Sequence, residues 1–220
     1  MKAMILAAGR GKRLRPLTDE TPKPLLVVRG KPLIQWHIEH LRGAGYTQLV
    51  INTSWLAEQI QEYFGDGAQF GVSIRYSYEG PEPLETGGGI FKALPLLGRQ
   101  PFVVVNGDIW TDYPFENLKH ALKQDNLAHL VMVPNAEHHP EGDFYLSPIG
   151  HLRDHGGPQL TYSGIGVYRP EFFRDCPAGS FPLLPWLQTA MQMEALSGEL
   201  YRGEWRDVGT PESLQALQRQ

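Results

Sequence analysis

The chain runs from a strand straight into a cationic loop. Met4, Ile5 and Leu6 form a continuous apolar run stopped by Gly9. The stretch Leu6 to Leu26, LAAGRGKRLRPLTDETPKPLL, then gathers two glycines, three arginines and two lysines. Gly9 and Gly11 permit positive φ and leave their N–H groups open to ligand oxygens. Arg10, Lys12, Arg13 and Arg15 supply charge, while Pro22 and Pro24 stiffen the segment that presents Lys23. The combination is a cradle for a polyphosphate. Taken alone, Gly9-Arg10-Gly11 has a plainer reading as a solvated basic turn.

Two common phosphate loops fail on spacing. A P-loop needs a glycine five residues ahead of a Gly-Lys that Ser or Thr follows. Gly11-Lys12 is followed by Arg13 and preceded at that place by Leu6; Gly30-Lys31 is followed by Pro32 and preceded by Leu25. The dinucleotide fingerprint wants a third glycine where this chain has Leu14, with Pro16 soon after.

Further along, apolar strand-like runs alternate with helix-like segments, which predicts a mostly parallel sheet covered by helices. Strands are expected at Lys2 to Ala7, Gln48 to Asn52, Val72 to Tyr76, Phe102 to Asn106 and Ala128 to Pro134. Helices are expected at Pro32 to Ala44, Trp55 to Phe64, Gly89 to Leu97 and Phe115 to Gln124. From Pro134 to Pro170 the pattern loosens into short strands rich in Gly, Pro and His, read as a lobe over one sheet edge and not as an independent domain. The 220 residues are expected to form one unit, with a core over about 1–133 and a lobe and closing segment over about 134–220.

Composition excludes several classes. A net charge of −4, with the cations concentrated in one loop, argues against a nucleic-acid partner. The single cysteine, Cys176, excludes an internal disulfide framework. With no signal peptide ahead of the first strand and no membrane-length apolar run, a soluble cytoplasmic protein without a membrane partner is expected. The end at Gln220 is expected to leave no room for an appended acyltransferase or β-helix domain.

In an open α/β sheet, ligands bind beyond the carboxyl ends of the strands. Asp108 follows the apolar strand Phe102 to Asn106 and Gly107, so it is delivered to the cleft opposite the glycine-rich loop. A carboxylate facing phosphates calls for a divalent cation between them. Magnesium suits, because it prefers oxygen ligands and is commonly held by one or two carboxylates plus phosphates. Asp207 is the second candidate ligand; a turn or N-cap role is the alternative for each aspartate.

The chain resembles the sugar-1-phosphate nucleotidyltransferases, whose pattern LAAG-x-G-x-R-L-x-P-L-T followed by P-K-P is matched at Leu6 to Gly9, Gly11, Arg13, Leu14, Pro16 to Thr18 and Pro22 to Pro24. VVVNGDIW at Val103 to Trp110 and EWRDVGTPESL at Glu204 to Leu214 resemble the family's strand-end aspartate and its W-x-D-V-G-T-P segment. The resemblance implies a Rossmann-like mixed sheet with a small sugar-binding lobe. It implies transfer of a nucleotidyl group from a nucleoside triphosphate to a sugar 1-phosphate, with release of pyrophosphate. Arg13 would stabilise the leaving β and γ phosphates, Lys23 would sit between the α-phosphate and the sugar phosphate, and Asp108 and Asp207 would hold Mg2+. The nucleotide would lie against Leu6, Ala8, Gly9, Gly11, Lys12, Arg13 and Lys23, with Glu79, Thr86 and Gly87 from the run EGPEPLETGGG nearest the base. Asn106, Gly142 and Ser163 are the carry-overs for the sugar.

Within the family, the E-T-G-G-G run and compact C-terminal end are most similar to small uridylyltransferases that use UTP and N-acetylmuramic acid 1-phosphate in bacterial cell-wall recycling. The family's E-E-K-P segment is missing; Leu152-Arg153-Asp154-His155 stands there without a lysine. Mannose-1-phosphate guanylyltransferase, phosphocholine cytidylyltransferase and a non-catalytic nucleotide-sugar sensor are the alternatives. Other tempting residues have plain readings. His37, Glu39 and His40 lack metalloprotease spacing, His138 and His139 read as surface histidines in a polar loop, and Ser163 has no nucleophile elbow around it.

Overall fold

The computed structural model describes residues 1–123, 125–137 and 139–219. Its first strand, β1 (Lys2–Leu6), is paired in parallel on both sides, as its composition requires: Ala3 and Ile5 enter one core and Met4 the other. There follow α1 (Leu17–Glu20), β2 (Val27–Val28), β3 (Lys31–Pro32), α2 (Leu33–Gly43), β4 (Gln48–Thr53), α3 (Ala57–Phe64), β5 (Ser73–Tyr78), α4 (Glu85–Leu97), β6 (Phe102–Asn106) and β7 (Ile109–Thr111). The second half supplies β8 (Ala128–Val133), β9 (Phe144–Leu146), β10 (Leu152–Arg153), β11 (Gln159–Tyr168), α5 (Leu184–Gln192), β12 (Leu196–Leu200), β13 (Trp205–Asp207) and α6 (Pro211–Gln218).

Strands β6, β1, β4 and β5 lie side by side and parallel, with Ile5 paired to both Ile51 and Val105. Antiparallel β11 joins at β6 and makes the sheet mixed. On one face Ile34, Ile38 and Leu41 of α2 and Ile60 and Phe64 of α3 pack on Ile5, Ile51 and Val105. On the other, Ile90 and Leu97 of α4 and Leu187 of α5 pack on Met4, Val50 and Val104. In α2 the buried positions Leu33, Ile34, His37, Ile38 and Leu41 recur at helical spacing. The expected α/β layering is present. No helix among the described residues is long and apolar enough to cross a membrane.

Four expectations need correction. Pro32 stands outside α2 at its N-cap. The segment beginning at Phe115 forms one short 3-10 helix, Phe115–Lys119, in which Phe115 and Leu118 are the buried residues; Gln124, the expected helix end, lies outside the described residues. Helix α4 begins at Glu85, so EGPEPLETGGG is not a single loop. Its glycines serve packing: a Cβ on Gly87 would stand 2.5 Å from the Phe181 ring, and one on Gly88 would stand 2.2 Å from the Gly179 carbonyl oxygen. Lastly, the stretch from Pro134 to Pro170 does not only cover an edge. Its ten-residue strand β11 is interior, hydrogen-bonded to β6 and β8, because Ser163 to Tyr168 are buried throughout. The pairing of β11 with β8 shifts register between Tyr162 and Ile165, a bulge that bends β11.

A third apolar cluster joins Leu14, Leu26, Val28, Leu33, Trp110, Val208, Leu214 and Leu217. It ties the glycine-rich loop, the β2–β3 hairpin, the β7–β13 ribbon and α6 into one body. The hairpin turns through Arg29 and Gly30, both at positive φ, as a two-residue type I′ connection demands. Arg29 then reaches the ribbon, with its guanidinium 3.9 Å from the centre of the Trp110 ring and 2.8 Å from Glu204. The ribbon leads into α6, where Thr210 and Ser213 form a capping box and Pro211 fills the first turn.

Candidate active site

Three strand ends meet in register at one edge of the sheet, since Leu6 is paired with both Asn52 and Asn106. Beyond them opens a cavity of about 270 Å³ lined by Leu6, Ala7, Ala8, Gly9, Lys23, Asn52, Glu79, Thr86, Asn106 and Asp108, among others. Asn52 fixes its floor. Its carbonyl oxygen accepts the Ala7 N–H at 2.7 Å and its amide donates to Glu79 Oε1 at 2.6 Å. The second Glu79 oxygen accepts the Leu84 N–H at 2.6 Å, so this buried carboxylate spans β4 and the turn before α4.

The glycine-rich loop folds back on itself. Thr18 donates to the Gly11 carbonyl at 2.9 Å, and Trp55 donates to the Thr18 carbonyl at 2.9 Å. Lys23, presented by a 3-10 turn that starts after Pro22, is buried, with Nζ 2.8 Å from Asp108 Oδ2. Arg13 points elsewhere. A Cβ on Gly209 would stand 2.8 Å from an Arg13 guanidinium nitrogen and 2.6 Å from Asp207 Oδ2, so both charged groups close over the bare face of that glycine.

Asp108 and Asp207 come together through the ribbon. Asp207 is paired with Ile109, and the Val208 N–H donates to the Asp108 carbonyl at 2.9 Å. Both carboxylates line a second cavity, about 290 Å³, with Asn106, His139, Thr161, Tyr162, Ser163 and Trp205. Among the described residues no group of three His, Cys, Asp or Glu side chains is arranged to hold a metal. Two carboxylates lining one cavity nevertheless fit Mg2+, which leaves most of its sites to water and phosphate oxygens. Behind Asp108, His37 is buried and donates from Nε2 to the Ile109 carbonyl at 2.8 Å; burial pushes its pKa down to about 4 and keeps the ring neutral.

The structure thus brings Leu6, Ala8, Gly9, Lys23, Glu79, Thr86, Asn106 and Asp108 to the first cavity and Asp207 and Ser163 to the second. Gly11, Lys12, Arg13, Gly87 and Gly142 line neither. Ser163 spends its hydroxyl internally, donating to the Val131 carbonyl at 2.7 Å within the bend of β11. His139, expected as a plain surface residue, lines the second cavity; His138 lies outside the described residues. Asn52 was missed. Its signal was a polar residue near the end of an apolar strand, the same signal that Asn106 gives.

The nucleotidyl transferase family model matches residues 2–144. The N-acetylmuramate alpha-1-phosphate uridylyltransferase of Neisseria meningitidis serogroup B is 53% identical over 216 residues, which cover 96% of this chain and 94% of that protein. A protein of the same name from Caulobacter vibrioides is 33% identical, covering 98% of this chain and 95% of its own. A solved UDP-glucose pyrophosphorylase complexed with UDP-glucose superposes with a TM-score of 0.83 at 20% identity, covering 99% of this chain and 97% of that one, which speaks for the fold alone.

Proposed function

Because the chain belongs to the nucleotidyl transferase family, we propose that it transfers the uridylyl group of UTP to N-acetylmuramic acid α-1-phosphate, giving the UDP-sugar and pyrophosphate. One observation carries the reaction class: the glycine-rich loop, Lys23 and the ribbon carboxylates converge at the carboxyl ends of β1, β4 and β6. The choice of base and sugar rests on the relative that shares 53% of its residues across nearly the whole chain.

A phosphoryl-type transfer asks a protein for positioning and charge neutralisation more than for covalent chemistry. An oxygen of the sugar phosphate attacks the α-phosphorus in line; the bond from that phosphorus to the α–β bridging oxygen breaks, and pyrophosphate leaves with the electron pair. The nucleophile is already an anion, so no general base is assigned. Backbone from Leu6 to Gly9, with Glu79 and Thr86, would seat the nucleoside. Lys23 would hold the α-phosphate and the incoming phosphate against their mutual repulsion, and Arg13 would draw charge onto the leaving group. Asp108 and Asp207 would hold Mg2+, which supplies charge neutralisation between the two phosphates. Asn106, on the wall shared by both cavities, would meet the sugar. The residues up to about 133 would then act as nucleotide-binding core and the remainder as sugar-binding lobe, in a cytoplasmic enzyme of peptidoglycan recycling.

Pyrophosphate release measured for each triphosphate against each sugar 1-phosphate tests this reading. UTP with N-acetylmuramic acid 1-phosphate is expected to exceed UTP with N-acetylglucosamine 1-phosphate by at least about tenfold in kcat/KM, roughly 1.4 kcal/mol. If GTP with mannose 1-phosphate is the faster pair, the uridylyl reading is wrong.

A further inference from the structure

The acceptor proposed above carries a carboxylate on its lactyl ether, yet the cavities that would receive it are acidic. The second cavity presents Asp108 and Asp207, and the adjoining one, between α4 and α5, presents Glu85 and Asp143. A carboxylate entering such a site unpaired is strongly disfavoured. Among the described residues lining these two cavities, His139 is the one side chain able to carry positive charge.

His139 is also held in place. Its Nε2 lies 3.2 Å from Asp143 Oδ1, while Asp143 Oδ2 accepts the Tyr162 N–H at 2.7 Å, which fixes the carboxylate against β11. The loop before it is pinned by Asn135. The Asn135 amide donates to the Pro140 and Gln159 carbonyls at 2.8 and 3.0 Å, and its oxygen accepts the Thr161 hydroxyl at 2.9 Å. With Nε2 committed to Asp143, Nδ1 is the ring nitrogen left for a ligand, and an imidazolium donates from both nitrogens at once.

We propose that His139, oriented by Asp143, is the acceptor-selecting residue of this site, donating from Nδ1 to a carboxylate on the sugar 1-phosphate. This rests on the nucleotidyl-transfer reading and deepens its acceptor side. The imidazolium would then lie between two carboxylates, one from the protein and one from the substrate.

The test compares wild type, His139→Ala and His139→Asn with UTP and three acceptors: N-acetylmuramic acid 1-phosphate, N-acetylglucosamine 1-phosphate, which lacks the lactyl group, and glucuronic acid 1-phosphate, an unrelated carboxylated sugar. In His139→Ala the loss of kcat/KM on N-acetylmuramic acid 1-phosphate should exceed the loss on N-acetylglucosamine 1-phosphate by at least about tenfold. It should fall mainly on KM, and His139→Asn, which keeps one N–H donor, should recover part of it. Equal losses on both acceptors, or no loss on the muramic substrate, overturn the assignment while leaving the uridylyl reading intact. A wild type that rejects N-acetylmuramic acid 1-phosphate but uses glucuronic acid 1-phosphate, with the same dependence on His139, overturns the named acceptor and sustains the role of His139. A wild type that prefers the neutral acceptor to both carboxylated ones overturns the inference.

Discussion

The Lys23 ammonium stands 2.8 Å from the Asp108 carboxylate, although 85 residues separate them along the chain. In the proposed reaction both groups face other partners, Lys23 the phosphates and Asp108 a cation. Loading the site would therefore exchange this ion pair for two new ones, Lys23 with phosphate and Asp108 with the cation.

Asp108→Asn should lower turnover by about 10² to 10³, the usual cost of losing one preorganised electrostatic contact. It should also raise the magnesium concentration needed for half-maximal rate. A variant that keeps more than half the wild-type rate at saturating magnesium would remove Asp108 from the metal site.

Arg13→Ala and Lys23→Ala should separate in kinetics. Arg13, which reaches toward Gly209 and Asp207, should chiefly affect kcat, because its charge acts on the leaving group. Lys23 should in addition raise KM for the sugar phosphate. Steady-state kinetics with each substrate varied checks this; identical changes in kcat and KM for both variants would contradict distinct roles.

Burial of His37 makes stability pH-dependent in a defined window. The folded-state pKa, about 4, lies below the ordinary 6.5, so the unfolded chain binds the extra proton first as pH falls. The contribution is complete above pH 6.5 and is lost as pH drops toward 4, to a total of as much as about 3 kcal/mol. Denaturant unfolding at pH 7 and pH 4.5 should show a steeper loss for wild type than for His37→Gln. Parallel losses would mean that other groups govern acid sensitivity.

Glu79→Gln should destabilise the fold by about 1 to 3 kcal/mol. Both Glu79 oxygens accept from donors, the Asn52 amide and the Leu84 N–H, and an amide nitrogen at either place would set donor against donor. Equilibrium unfolding measures the cost. A change below about 0.5 kcal/mol would show that the network rearranges freely.

The strands with both faces buried were legible because continuous apolar runs such as Phe102 to Val105 have no other stable placement. Gln159 to Tyr168 was not. Its glycines and polar residues hide a strand whose burial depends on neighbours from three other parts of the chain. Loop residues that carry charge beside a strand, Lys23 and Asp108, could be placed from sequence. His139 could not, since its position is set by Asp143 and Asn135, side chains whose partnerships follow only from the fold. The Gly87–Gly89 run misled for the opposite reason: the absent side chains serve close packing, Gly87 and Gly88 on the 179–181 segment and Gly89 on Glu79 and Asn52.

The β7–β13 ribbon joins two distant parts of the chain. Asp108 sits near the middle of the chain, and its companion Asp207 lies on β13, held by Val208, Leu214 and Leu217 against Trp110 and Leu14. The cavity at the ends of β1, β4 and β6 is lined by described residues between Leu6 and Asp108, whereas Asp207 comes from a segment far outside that range. The segment from Trp205 to Leu217 thus completes, about a hundred residues after Asp108, the carboxylate pair whose first member lies beside the glycine-rich loop.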